Sequence, residues 1–183
     1  MSIYDKVVEY VDTAFKGKQK RHFERAVYWL EKFSPIFSEA HKIAAYSHDI
    51  ERAFRDKDKN VPENYLDLDF LEHPSETGAD IMSQFLIENN ARANDVQKVI
   101  HLISKHEVGG DAEQNALMDA DSVSFFETNA EMFVKEKAPH EGVEKVKEKL
   151  DWMFNRISTD EHKKFAKINY DKWISELVKS EKK

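Results

Sequence analysis

The chain contains no cysteine. A disulfide, a thiolate metal site and a cysteine nucleophile are therefore excluded, and any metal must be held by histidine and carboxylate. Glycine and proline are scarce, at 5 and 4 of 183 residues, too few for the tight turns of an all-β protein. No apolar run approaches the roughly 18 residues that a membrane span needs, and no stretch sustains the alternation of a half-buried strand. Positive charge is also short. The 28 Lys and Arg stand against 35 Asp and Glu, a net charge of -7. That balance argues against a general nucleic-acid partner, which requires a basic face. Met1-Ser2-Ile3-Tyr4-Asp5 has neither the basic start nor the apolar run of a signal peptide. The expectation is a cytoplasmic protein with no membrane partner.

What is present suits a helical domain. Apolar residues make up 40 % and aromatics 11 %, enough to bury a core without staples at this length. Ile3, Val7, Val8, Val11, Ala14 and Phe15 recur at three- and four-residue steps and predict a helix over 2–16, stopped by Gly17. A second helix is expected over about 20–33, broken at Ser34-Pro35, and a third over about 37–48. Residues 55–64 read as a polar loop beside a site, a candidate lid. Pro74 fits the first position of a helix over about 75–90. Asn94 or Asp95 restarts the chain, Gly109-Gly110 closes that helix, and a further helix covers 115–127. Residues 134–183 read as two helical stretches split at Ile157-Ser158-Thr159-Asp160, with Ser158 or Thr159 as cap. The class is all-α, in a single domain over 1–183.

The chemistry centres on Ala45-Tyr46-Ser47-His48-Asp49-Ile50-Glu51-Arg52. His48 and Asp49 offer an imidazole nitrogen and a carboxylate from one point on the backbone, a pairing suited to a hard or borderline divalent cation. Asp119 and Asp121 interrupt the apolar run Ala116 to Phe126. A carboxylate there must be paired or bind a cation. Two steps apart on a helix, the pair points to different faces, so at most one shares a pocket with His48. His41 and His101 read as structural, His140 and His162 as surface residues.

The order His22, then His48-Asp49, then Asp121 within Asp119-Ala120-Asp121-Ser122-Val123 resembles the HD-domain metal-dependent phosphohydrolase superfamily. Its members are all-α and carry a His on one helix, the His-Asp pair on the next and an Asp on a later helix. His22-Phe23-Glu24-Arg25 is similar to the first of these segments, including the Arg three residues on. His73-Pro74 followed by Gly78, and Lys105-His106-Glu107, are similar to stretches of the two-metal HD-GYP branch. Lys105 stands where that branch has its first His, the Gly-Tyr-Pro hallmark is absent, and Ile50-Glu51-Arg52 replaces its Gly-Lys. The signature region covers about 20–126, with helices of 134–183 packed onto it.

The resemblance implies an HD-domain helical bundle in which His22, His48, Asp49 and Asp121 hold one divalent metal (Mn, Co, Ni, Mg, Zn or Fe). His73 and His106 would serve a second metal or a substrate phosphate. The expected activity is hydrolysis of a phosphate ester, of a nucleotide or related small phosphorylated metabolite, through a metal-bound hydroxide. Asp49 would ligate the metal and accept a hydrogen bond from the water. Arg25, Arg52 and Lys105 are candidates for contacting phosphate, and Glu51 for a general acid or an orienter of a histidine ligand. Two alternatives stand beside this: a non-catalytic module sensing metal or nucleotide, and a di-iron HD oxygenase. A homodimer is left open.

Overall fold

The computed structural model describes residues 1–55 and 68–180, without the side chains of 68–73 and 180. Among the described residues every regular element is helical, and the architecture is an all-α bundle. The helices α1 (Ile3–Ala14), α2 (Lys20–Phe33), α3 (Glu39–Ser47) and α4 (Glu51–Phe54) are followed by α5 (Leu68–Glu88), α6 (Ala93–Ile103) and α7 (Ala112–Thr128). A short α8 (Ala130–Met132), a π-helical turn (Phe133–Lys137) and α9 (Ala138–Glu141) lead to α10 (Val143–Asn155) and α11 (Asp160–Ser180).

The central element is α7. It buries residues all around its circumference, from Ala116 through Phe126, as a helix without a solvated face must. Small residues make that burial compatible with close neighbours, and their hydroxyls are satisfied locally: Ser122 Oγ donates to the Met118 carbonyl at 2.8 Å and Ser124 Oγ to that of Asp121 at 2.9 Å. The helix starts on a capping box, with Asp111 accepting from the amides of Glu113 and Gln114 and Gln114 returning to the Asp111 amide. Along α7 lies α2, and α3, α6, α10 and α11 also pack on it. On the far side α5 packs against α4 and α6.

Two turns bring chemistry to this centre. After Ser47 the chain leaves α3 through His48-Asp49-Ile50, with the Ile50 amide on the Ser47 carbonyl at 3.0 Å and the Arg52 amide on that of Asp49 at 2.9 Å. After α6, the turn ending at Gly109 (φ 76°) is fixed to α7 by Asn115, whose Oδ1 accepts from the Gly110 amide at 2.9 Å. A Cβ at Gly109 would collide with Asn115 Oδ1, so the turn needs glycine for space as well as for its left-handed backbone.

Several boundaries differ from the sequence reading. Pro74 lies inside α5, which begins at Leu68, instead of opening a helix. Residues 130–133 are helical where no element was anticipated, and the helical stretch expected from 134 is divided at Gly142 (φ 97°) into a π-helical turn with α9 and then α10. Thr159 does cap α11, accepting from the His162 amide at 3.1 Å. The candidate lid falls, apart from Arg55, on residues outside those described. No described helix is long and apolar enough to cross a membrane.

Candidate metal centre

His22 stands in the first turn of α2, His48 caps α3, and Asp121 projects from the middle of α7; all three are buried. Their functional atoms converge on one carboxylate oxygen. His22 Nε2 lies 3.1 Å and His48 Nε2 3.3 Å from Asp121 Oδ1, and Asp49 Oδ2 lies 3.8 Å from His48 Nε2. Around an ion with bonds of about 2.1 Å, neighbouring ligand atoms stand roughly 3.0–3.4 Å apart, so the first two spacings fit a shared cation. His106 approaches from the α6–α7 connection, its Nε2 3.6 Å from Asp49 Oδ1 and 3.8 Å from Glu107 Oε1. Two groups with the spacing of a metal cage result: His22, His48 and Asp121; and Asp49, His106 and Glu107.

The hydrogen bonds around the rings fix which nitrogen faces this cluster. His48 Nδ1 lies 2.9 Å from the Ala45 carbonyl and His106 Nδ1 2.8 Å from that of Ile103. A carbonyl only accepts, so each Nδ1 carries the proton and each Nε2 presents its lone pair when the ring is neutral. His22 reaches the same state by a longer route. Its Nδ1 lies 3.0 Å from Ser124 Oγ and 3.4 Å from Thr128 Oγ1. Both hydroxyl protons are already committed, Ser124 to the Asp121 carbonyl and Thr128 to that of Ser124 at 2.7 Å. The hydroxyls therefore accept from Nδ1, and His22 Nε2 is the nitrogen that faces Asp121. The Nε2 atoms of His48 and His106 are buried without a hydrogen-bond partner, a costly state unless something else occupies them. The residues present thus fit a divalent cation, on the evidence of two orphaned nitrogens beside buried carboxylates.

The electrostatics agree. Burial opposes the charging of His48, but Asp49 and Asp121 outweigh it and raise its pKa to about 9. Burial likewise opposes ionisation of Asp49, and Arg52, His48 and His106 overcome it, holding the carboxyl well below its ordinary range. Asp121 is held low in the same way by Arg156 and the two histidines. Negative charge is thus so concentrated here that protons collect on an imidazole which would otherwise stay neutral.

Two guanidinium groups close the outer side. Arg52 Nη1 lies 3.0 Å from Asp49 Oδ2 and its Nη2 2.7 Å from Glu107 Oε1, with the side chain 44 % exposed. Arg156, at the end of α10, is buried. Its Nε donates to Ser122 Oγ at 2.8 Å, its Nη1 to Glu107 Oε2 at 2.5 Å, and its Nη2 to Asp121 Oδ2. Against its burial, Arg156 and Arg52 lower Glu107 to about 2. Lys149, two turns back on α10, adds a third positive charge. Burial depresses it to about 8, with Glu107 pulling the other way.

Of the residues singled out in the sequence, His22, His48, Asp49, Asp121, His106 and Arg52 come together. Arg25 does not join them: it forks onto Glu127 at 2.6 and 3.0 Å and lies over the Tyr28 ring. Glu51 is held by Arg55 at 2.5 Å. Lys105 is half-buried next to His106. The His73 side chain lies outside the described residues. Asp119 turns away from Asp121, as the spacing requires, and accepts from the Ser158 amide and hydroxyl, both at 2.7 Å. His162 is no surface residue: it lies 2.6 Å from Asp119 and stacks on Phe33. Glu107, Arg156 and Lys149 were missed as site residues. Glu107 had a signal, its place beside His106. Arg156 and Lys149 had none, because both read as solvated charges on an amphipathic helix.

Fold and site together define an all-α protein with a buried histidine–carboxylate cluster at the meeting of α2, α3 and α7. The chain belongs to the family described as a domain of unknown function, DUF4202, whose model matches residues 5–178. Neither a curated protein nor a solved structure matches it.

Proposed function

We propose that the chain is an HD-type metal-dependent phosphohydrolase, acting on a nucleotide or related small phosphorylated metabolite. The observation that carries this reading is the set of like-oriented imidazoles whose Nε2 atoms, two of them orphaned, face buried carboxylates. His22, His48, Asp49 and Asp121 would hold one divalent cation. When bound, such an ion lowers the pKa of a water and neutralises charge on a phosphoryl oxygen.

The remaining residues take the other tasks. Asp49 Oδ1 is the acceptor for the proton of the attacking water, and His106 Nε2, 3.6 Å away, is the next acceptor in line. Arg52 is exposed enough for a phosphate to meet it and offers a fork matched to phosphoryl oxygens. Both oxygens of Glu107 are already taken by Arg52 and Arg156, which favours a single ion over a pair. A site holding one ion would remove the di-iron oxygenase reading.

A phosphate-release screen with Mn²⁺, Co²⁺, Ni²⁺ or Mg²⁺, across nucleotides and general phosphoesters, tests the proposal. Release that disappears in Asp49→Asn is expected. Tight nucleotide binding with no turnover under any of these ions would replace the enzyme reading with a sensing module.

A further inference from the structure

Arg52 does not sit as an ordinary surface arginine does. It follows Asp49 by one helical step, and its guanidinium bridges two buried carboxylates that come from separate turns. Nη1 lies 3.0 Å from Asp49 Oδ2 and Nη2 2.7 Å from Glu107 Oε1. Asp49 and Glu107 belong, with His106, to a group whose ligand atoms have the spacing of a metal cage. The guanidinium thus meets two members of that group. It does not meet the third. His106 Nε2 stands 3.6 Å from Asp49 Oδ1 and 3.8 Å from Glu107 Oε1, buried and without a hydrogen-bond partner. In the neutral ring it offers a lone pair, which a metal ion can use and which the protons of Arg52, directed at the carboxylates, do not reach.

These donors do not depend on Arg52 for their placement. His106 Nδ1 is held by the Ile103 carbonyl at 2.8 Å and Glu107 Oε2 by Arg156. Asp49 is buried on the turn that leaves α3. Its two oxygens face different ways, Oδ2 toward His48 Nε2 at 3.8 Å and Oδ1 toward His106 Nε2. One imidazole nitrogen and two carboxylates suit a divalent cation. The Arg52 side chain is 44 % exposed, so shortening it opens the group to solvent instead of leaving a void in the core. A guanidinium is a permanent cation with donors in fixed directions. Tethered beside Asp49, it is always at hand, whereas a free ion must be captured from solution.

We infer that the Arg52 guanidinium stands in for a second metal ion: it occupies the carboxylates of the Asp49, His106 and Glu107 group and restricts the centre to one cation. This rests on the metal reading above. Without Arg52 the group becomes a second divalent site, with Asp49 shared between the two ions.

The test is Mn²⁺ binding to the full chain, read by calorimetric stoichiometry and by electron paramagnetic resonance of the loaded protein. The unaltered chain is expected to take one ion, with the spectrum of isolated Mn²⁺. Arg52→Ala, and Arg52→Met, which keeps an apolar stem, should each take two, with the spin coupling of ions about 3.5–4 Å apart. The double variant Arg52→Ala, His106→Ala returns to one. Circular dichroism and an undiminished affinity for the first ion report that each variant is folded. One ion in the folded Arg52 variants overturns the inference and leaves the metal reading standing. So does a second ion that persists without His106 or shows no coupling. Two ions in the unaltered chain overturn it as well, because the guanidinium then excludes nothing. Loss of folding in both Arg52 variants makes the residue a structural strut and has the same effect. No uptake of Mn²⁺ by the unaltered chain removes the metal reading and the inference with it.

Discussion

At the scale of single residues, the centre depends on protons as much as on ligands. His22 presents Nε2 only because Ser124 and Thr128 have spent their hydroxyl protons on carbonyls. Ser124→Ala removes the closer acceptor of His22 Nδ1. Mn²⁺ affinity should fall about tenfold, the usual scale for loss of a group that orients a histidine ligand, with the far-UV circular dichroism unchanged. His48 makes a pH prediction. Its folded pKa, about 9, lies above the unfolded value of about 6.5. In the metal-free protein the stabilisation from its protonation is therefore complete below about 6.5 and fades as pH rises through 9. A metal needs the neutral ring, so Mn²⁺ must expel this proton at pH 7. Affinity should climb with pH up to about 9, and calorimetric heats should vary with buffer ionisation enthalpy. Heats independent of buffer would contradict this.

At the scale of elements, α7 works on two faces. Asp121 looks toward α2 and α3, while Asp119 looks toward the start of α11, where Ser158 and His162 meet it. Asp119→Ala leaves the Ser158 amide and hydroxyl without their acceptor. A loss of about 2–4 kcal/mol in urea unfolding is expected, with faster hydrogen exchange at the start of α11. Arg156 joins α10 to α7 and to the α6–α7 turn, and Arg156→Ala strands two buried carboxylates. The expected cost is about 3–5 kcal/mol in the metal-free protein, smaller when Mn²⁺ is present to share the charge. These links also explain how far the sequence could be read. The helices with a strong apolar stripe, α1, α2 and α6, are legible from periodicity, and His22, His48-Asp49 and Asp121 from their order. The pairing of Arg156 with Asp121 spans 35 residues and leaves no local trace. Pro74 misled because proline is favoured at a first turn, yet α5 carries it internally. Apolar residues on all sides of α7 conceal which of its two aspartates turns toward His48.

At the scale of the whole molecule, a cation tying α2, α3 and α7 together should raise the melting temperature. At an ion concentration about 100 times the dissociation constant, linkage gives about 2.7 kcal/mol, or roughly 5–10 °C for a chain of this size. Differential scanning fluorimetry with Mn²⁺, reversed by EDTA and absent in a His48→Ala, Asp49→Asn double variant, reads this directly. An equal shift in the double variant would place the ion elsewhere. One feature reaches further than stability. All four proposed ligands lie before residue 122, so a boundary drawn after α9 would seem to keep the centre whole. Such a fragment would hold Asp121 and Glu107 without the guanidinium of Arg156, and would lose the Lys149 ammonium. A fragment ending after α9, about three quarters of the chain, is therefore expected to bind Mn²⁺ more weakly than the full chain. The family model covers α10 and Arg156 along with the four proposed ligands.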